Sequence, residues 1–189
     1  MTAIVTAVIG CSAGGLQALQ LILRPLPADL GIAIVIVSHT APDGVSLLPD
    51  LLSRACGLPV CEAEERERVR PGHVYVAPPN YHLLIETDFT FALSVDARVC
   101  NVRPSIDVLF ASAARAYRRR LAGIVLTGAN ADGADGLRVI AERGGTCLVQ
   151  DPKTAVAAAM PLAAIAAVAG AKVLELSAMP GALTGLAAP

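Results

Sequence analysis

The sequence has no CxxC pair, no HExxH segment and no G-x-x-x-x-G-K-[ST] loop. The first two absences remove common zinc-ligand spacings, and the third removes a P-loop for nucleotide phosphates. Charge of either sign is not in excess. The 15 Lys and Arg residues face 16 Asp and Glu, for a net charge of −1. Bulk electrostatics therefore offers no attraction to nucleic acid or to an anionic membrane. The opening MTAIVTAVIG lacks a basic segment and runs straight into strand-like sequence, so no signal peptide is read. An uncharged apolar stretch at 154–171 is alanine-rich and broken by Pro161. It falls short of the ~20 strongly apolar residues of a membrane span and reads as a loop followed by a buried helix. Cysteines at 11, 56, 61, 100 and 147 are an odd number. Buried free thiols in a reducing cytoplasmic compartment explain them most simply.

What is present is apolar sequence of α/β type. The chain has 189 residues and is 54% hydrophobic. A chain of this size buries about 70% of its unfolded surface, which suffices for a single domain over 1–189. Residues 3–9 form a β-branched apolar run, 14–24 place leucines on one helical face, and Pro25-Leu26-Pro27 ends that helix. Residues 32–38, IAIVIVS, are apolar on both faces, as in a parallel strand covered on both sides. A helix follows at 45–54. From 61 to 95 short runs broken by Pro, Gly and Asp predict two to four short strands, partly antiparallel. The run EAEERERVR, 62–70, reads as a solvated segment. RAYRRR, 115–120, gathers positive charge where a helix C-terminus favours it. Helix 105–119, strand 122–127, helix 134–143, strand 146–150, helix 161–168 and strand 172–176 complete the pattern. The fold class is α/β: a three-layer sandwich with a mostly parallel sheet and a small antiparallel hairpin insertion.

In such sheets ligands sit outside the carboxyl ends of the strands. The first strand ends at Gly10 and delivers Ser12 within VIGCSAGG; the second ends at Ser38 and delivers His39; the strand at 122–127 delivers Asp132 within TGANADGADG. A hydroxyl, an imidazole and a carboxylate on one sheet edge are the set that acyl transfer requires. Free N–H groups at the helix start beside Ser12 can serve an oxyanion. Each residue also has a plainer reading. Ser12 and Asp132 both precede helices and are favoured N-caps, and His39 can be a loop histidine bonded to backbone. Cys11 beside Ser12 is a second candidate nucleophile, although a free cysteine more often serves as a small buried hydrophobe. His73 and His82 lie among the short strands, where alternation can turn either outward. A dinucleotide loop would want Gly in place of Ser12 and an acidic residue in place of His39. An α/β-hydrolase orders its set Ser, Asp, His, whereas no histidine follows His82 here. A different fold with convergent chemistry is expected.

The motifs IGCSAGG (9–15), VIVSHT (35–40), RPGHVYVAPPNYHLLI (70–85), RPSID (103–107), LTGANADGADGL (126–137), VQDPKTA (149–155) and AMP (159–161) occur in one order and spacing. In these the chain resembles the catalytic domain of CheB-type chemotaxis protein-glutamate methylesterases over about residues 5–185. The resemblance implies a cytoplasmic serine esterase that hydrolyses glutamate methyl esters on chemoreceptors, deamidates some receptor glutamines and uses no cofactor. It implies catalytic roles for Ser12, His39 and Asp132, and oxyanion donors at the amides of Ala13 and Ala129. It implies as partners the helical region of a receptor or related sensory protein, and a paired methyltransferase or separate response regulator. It implies no metal, nucleic acid or membrane insertion. Three positions depart from the family pattern: Ala13 replaces Thr, and Ala129-Asn130 replaces Met-Gly. The family's receiver domain is not part of these residues, so control by built-in phosphorylation is not expected. Two other functions fit the same motifs, a non-catalytic module that binds receptor or methyltransferase and a small-molecule carboxylesterase.

Overall fold

Alternating side chains on the central strands build two separate cores. In the first strand Val8 faces one side of the sheet while Ala7 and Ile9 face the other, the period of two that a pleated strand imposes. The computed structural model describes residues 4–39 and 47–187. Its elements are β1 (Thr6–Cys11), α1 (Gly15–Leu23), β2 (Ala33–Ser38), α2 (Leu48–Ser53), β3 (Val60–Glu62), β4 (Val74–Val76), β5 (His82–Ile85) and β6 (Phe91–Ser94). They continue with α3 (Ile106–Tyr117), β7 (Leu121–Val125), α4 (Ala134–Glu142), β8 (Thr146–Gln150), α5 (Ala159–Ala167), β9 (Lys172–Leu174) and α6 (Met179–Ala187).

Seven strands form one sheet in the order β3-β4-β2-β1-β7-β8-β9, and every pairing in it is parallel. One core holds Val8, Leu109, Phe110, Leu137 and Ile140, together with Leu83 and Phe91 of the antiparallel β5–β6 pair. The other core holds Ile9, Leu19, Leu23, Leu52 and Leu183. Helices thus cover both faces, and the three-layer α/β sandwich holds. Among the described residues no helix is long and apolar enough to cross a membrane.

The short-strand region departs from expectation in one respect. Only β5 and β6 form a hairpin, whereas β3 and β4 join the main sheet in parallel. Strands of three residues carry too little alternation to reveal direction, and all three residues of β4 are buried. The helix α6 is also unanticipated. Its sequence MPGALTGLA holds two glycines and a proline, yet Met179 and Leu183 are fully buried against the sheet, and packing outweighs propensity. Helix α5 begins at Ala159 rather than Pro161, because a proline is tolerated in a first turn. Strand β7 ends at Val125, before the expected 127. Of the expected helix 45–54, residues 45 and 46 lie outside the described residues.

All five cysteines are free, but only Cys11 and Cys147 are buried; Cys100 is exposed. His82 is turned inward, 1% exposed.

The register decides where the site falls. Cys11 pairs with Ser38, so Ser12 and His39 leave neighbouring strands side by side, and His39 N–H donates to the Cys11 carbonyl at 3.2 Å. On the other flank β7 pairs with β1, and Ser12 N–H donates to the Thr127 carbonyl at 2.9 Å. The chain moves from β1 to β2 on one side and returns through β7 on the other. The crevice at this reversal is the usual ligand position in an open α/β sheet.

Candidate active site

Ser12 begins a tight turn. Gly15 N–H donates to the Ser12 carbonyl at 2.8 Å, and Gly14 sits at φ 79°, ψ 2°. Those angles make Ser12–Gly15 a type II turn, whose third position demands a left-handed residue and hence Gly. Helix α1 takes Gly14 as its N-cap with no side-chain cap bond. The capping role open to Ser12 is therefore not used. Among the described residues its hydroxyl makes no hydrogen bond, and it lines a cleft. The other candidate nucleophile is spent as packing: Cys11 is fully buried, and desolvation pushes its thiol up to about 11, against a weaker downward pull from Ser38. It remains protonated at neutral pH.

His39 Nε2 lies 2.8 Å from Asp132 Oδ2. A carboxylate only accepts there, so Nε2 carries the proton and Nδ1 is the basic nitrogen. Asp132 is completely buried. Its Oδ1 accepts from Ser105 Oγ at 2.7 Å and from the Asp107 amide at 3.1 Å, while Oδ2 also accepts from the Ile106 amide at 2.7 Å. Burial alone would raise this carboxyl. The bonds from His39, Ile106, Ser105 and Asp107 outweigh it and hold the group below the ordinary carboxylate value.

Asp132 is thus a cap after all, but for the other helix. It closes the N-terminus of α3, while its own helix α4 is N-capped by Gly133 without a side-chain bond. Asp107, in the first turn of α3, returns the favour. Its Oδ1 accepts from the amides of Gly133 at 2.9 Å and Gly136 at 2.6 Å. The helices cross closely enough that a Cβ on Gly136 would stand 2.6 Å from Phe110 Cβ, so only Gly fits. Asp107 and Ser105 were not picked out from sequence. The available signal was Ser105-x-Asp107 at a helix start, two favoured capping residues. His82 completes the support: its Nδ1 accepts from the Ser105 amide at 3.1 Å, so Nε2 carries the proton and donates to the Ala97 carbonyl at 3.1 Å.

The Cys100 thiol and the carboxylates of Asp107 and Asp132 gather within 4.8 Å. The Asp132 oxygens already accept four hydrogen bonds, so this cluster is a hydrogen-bonded joint rather than a cation cage.

The proximity of two carboxyls leaves a signature. Burial pushes Asp107 up to about 6 from an ordinary 3.8, with amide bonds from Gly136 and Gly133 opposing and the Asp132 charge adding. An acid raised by folding binds more protons in the native state between those values, so its share of stability falls as pH rises from about 4 to 6. Asp107→Asn keeps an oxygen for the two amides and removes the charge. Above pH 6 it is expected to melt about 2–4 °C higher than the wild type, and the gain should vanish near pH 4, as thermal melts across that range will test.

The cleft holds about 340 Å³, and Ser12, Gly14, His39, Leu47, Leu48 and Leu51 are among the residues that line it. That volume lies in the range of small-ligand pockets. A smaller cavity of about 190 Å³, lined by Val5, Arg68, Tyr117 and Arg120, opens at the amino ends of the strands, away from this set. The amides of Ala13 and Ala129 have no partner among the described residues. Asn130, one of the departures, accepts from the Asp132 amide at 3.2 Å and so closes the loop onto the carboxylate.

The family model for CheB methylesterase matches residues 7–183. A relative from Leptospira interrogans is 52% identical over 89% of this chain and 88% of its own length; its name, protein-glutamate methylesterase/protein-glutamine glutaminase, is itself marked provisional. A protein of that name from Anaeromyxobacter dehalogenans is 41% identical over 95% of this chain and 52% of its own length. The chain thus spans most of one relative and about half of the other. The crystal structure of the Thermotoga maritima CheB methylesterase catalytic domain superposes with a TM-score of 0.93 at 33% identity, over 98% of this chain and 100% of that one. The matched span takes in Ser12, His39 and Asp132, the parallel sheet that sets them on one edge and the helices whose crossed caps hold the carboxylate, and on that ground the chain belongs to the CheB methylesterase family.

Proposed function

We propose that the chain is a protein-glutamate methylesterase in which Ser12 is the nucleophile, His39 the general base and Asp132 the residue that orients and charge-balances the imidazole. The observation that carries this reading is the 2.8 Å contact between His39 Nε2 and a fully buried Asp132, beside a serine whose hydroxyl is not used for capping. Ser12 Oγ attacks the ester carbonyl carbon as His39 Nδ1 takes its proton. The carbonyl oxygen becomes an oxyanion, for which the amides of Ala13 and Ala129, without a partner among the described residues, are the proposed donors. The C–OCH₃ bond breaks, His39 returns the proton to the methoxy oxygen, and methanol leaves. Water, deprotonated by His39, then attacks the acyl-serine carbon; the bond to Ser12 Oγ breaks, His39 returns the proton to Oγ, and the glutamate side chain leaves as its acid and ionises. With a glutamine side chain the same cycle releases ammonia. Each turnover consumes one water and moves only protons and an acyl group, so the cycle calls for no redox cofactor. The leucine wall of the cleft suits the apolar stem of a methylated glutamate on a receptor helix. Such a partner, with the free thiols, supports a cytoplasmic location. A paired methyltransferase or a response regulator is the further partner this reading proposes.

The test is methanol release from a methyl-esterified chemoreceptor signalling fragment, set beside hydrolysis of a small methyl ester. Release from the fragment at a kcat/KM well above that of the small ester is the expected result. Turnover of the small ester alone would make the protein a general carboxylesterase. Binding of the fragment with neither reaction would make it a docking module.

A further inference from the structure

Thr127 is 1% exposed, and the chemistry above does not use its hydroxyl. Every polar atom it has is nevertheless spent. Its carbonyl accepts from Ser12 N–H at 2.9 Å, and its amide donates to Gln150 Oε1 at 2.9 Å. Its Oγ1 accepts from the Ala157 amide at 2.9 Å and donates to the Ala13 carbonyl at 2.8 Å, with the Ala157 carbonyl a more distant acceptor at 3.3 Å.

The bond to Ala13 matters because of where that carbonyl sits. Ala13–Gly14 is the central peptide of the type II turn. Type I and type II turns differ by a flip of that one peptide, and a glycine at the third position permits both. Sequence alone therefore leaves the peptide's direction open. In a trans peptide the N–H points opposite to the C=O. With the Ala13 oxygen drawn down to Thr127, Gly14 N–H points away from Thr127. Gly14 lines the cleft beside Ser12, and its amide has no partner among the described residues. The flipped peptide would turn an oxygen toward the position of a developing oxyanion, where it would repel rather than stabilise.

We propose that Thr127 is a positioning residue for the esterase: its hydroxyl locks the Ala13–Gly14 peptide so that Gly14 N–H becomes a donor to the oxyanion. This rests on the reading of Ser12 as nucleophile. Thr127 acts at a distance from the reacting atoms, by fixing one peptide plane, and the same clip ties the 151–158 loop to the nucleophile turn.

The test compares the full-length wild type, Thr127→Val and Thr127→Ser, using a small ester for turnover and an alkyl boronic acid as a tetrahedral mimic on Ser12. Valine matches the shape of threonine but has no hydroxyl. It is expected to lower kcat about 10²-fold with KM nearly unchanged, and boronate affinity by the same factor, measured per folded protein. Serine should restore both. In the wild type, the Gly14 amide resonance should move strongly when the boronate adduct forms, a measurement that stands even if the valine variant does not fold. Wild-type kcat and boronate affinity in Thr127→Val, or a Gly14 amide that stays put in a formed adduct, would overturn the proposal. Failure of the wild type to form any adduct at Ser12 would instead overturn the serine esterase reading beneath it.

Discussion

Ser12→Ala is expected to reduce turnover of a methyl ester by roughly 10⁴- to 10⁶-fold, the scale seen when a serine nucleophile is removed from an otherwise intact site. The remaining rate would come from the cleft and its amides alone. The same substitution should leave the fold untouched. The Ser12 hydroxyl caps no helix, and the backbone bonds that hold the turn, Ser12 N–H to Thr127 and Gly15 N–H to Ser12, survive the change. A melting curve superimposable on that of the wild type, with stability within about 0.5 kcal/mol, is therefore part of the prediction. Methanol release and thermal denaturation on one preparation decide it. Substantial turnover by the variant would remove Ser12 from its assigned role.

Asp132→Asn should lose both activity and stability. Turnover is expected to fall about 10⁴-fold, because an amide NH₂ facing His39 no longer accepts from Nε2 and the imidazole takes the wrong tautomer. Stability suffers because the carboxylate also accepts from Ser105 Oγ and from the amides of Ile106 and Asp107. An asparagine must present its NH₂ to some of these donors. Each buried donor left without an acceptor costs about 1–3 kcal/mol, so a fall in melting temperature of several degrees accompanies the lost rate. The pH sense is opposite to that of Asp107. A carboxyl held low in the folded state contributes stability above its ordinary value of 3.8 and loses it as pH falls below. The deficit of the variant should therefore be largest at neutral pH and shrink in acid. A variant with wild-type melting and full turnover would sink both halves of the argument.

The placement of Ser12, His39 and Asp132 on one sheet edge was legible from sequence because each follows an apolar strand, and a parallel sheet must present such residues along one edge. The regular α/β units were legible for the same reason. The β-branched runs of β1, β2 and β7 announce buried strands, and the leucines of α1 announce a packed face. Three-residue strands were not legible as members of the main sheet, because β3 and β4 are too short to show a period. Helix α6 was hidden by glycine and proline and is stabilised by Met179 and Leu183 in the core. The support of the carboxylate was hidden more deeply. The sequence reading began a helix at 105, within one residue of its start at Ile106, but a cap is ordinarily sought within its own helix. Here each acidic residue serves the neighbour's, a relation that exists only after α3 and α4 have crossed.

That crossing sets an order in which this protein could decay. Drift that released the chain from esterase work would meet no structural resistance at Ser12. At Asp132 the same drift would leave the donors of Ser105, Ile106 and Asp107 without an acceptor, and selection for a folded protein would keep that acid in place long after the chemistry had gone. A descendant with Asp132 intact and the serine replaced is the relic this architecture would leave. In judging whether any copy is still at work, the serine is the informative residue and the aspartate a witness only to ancestry.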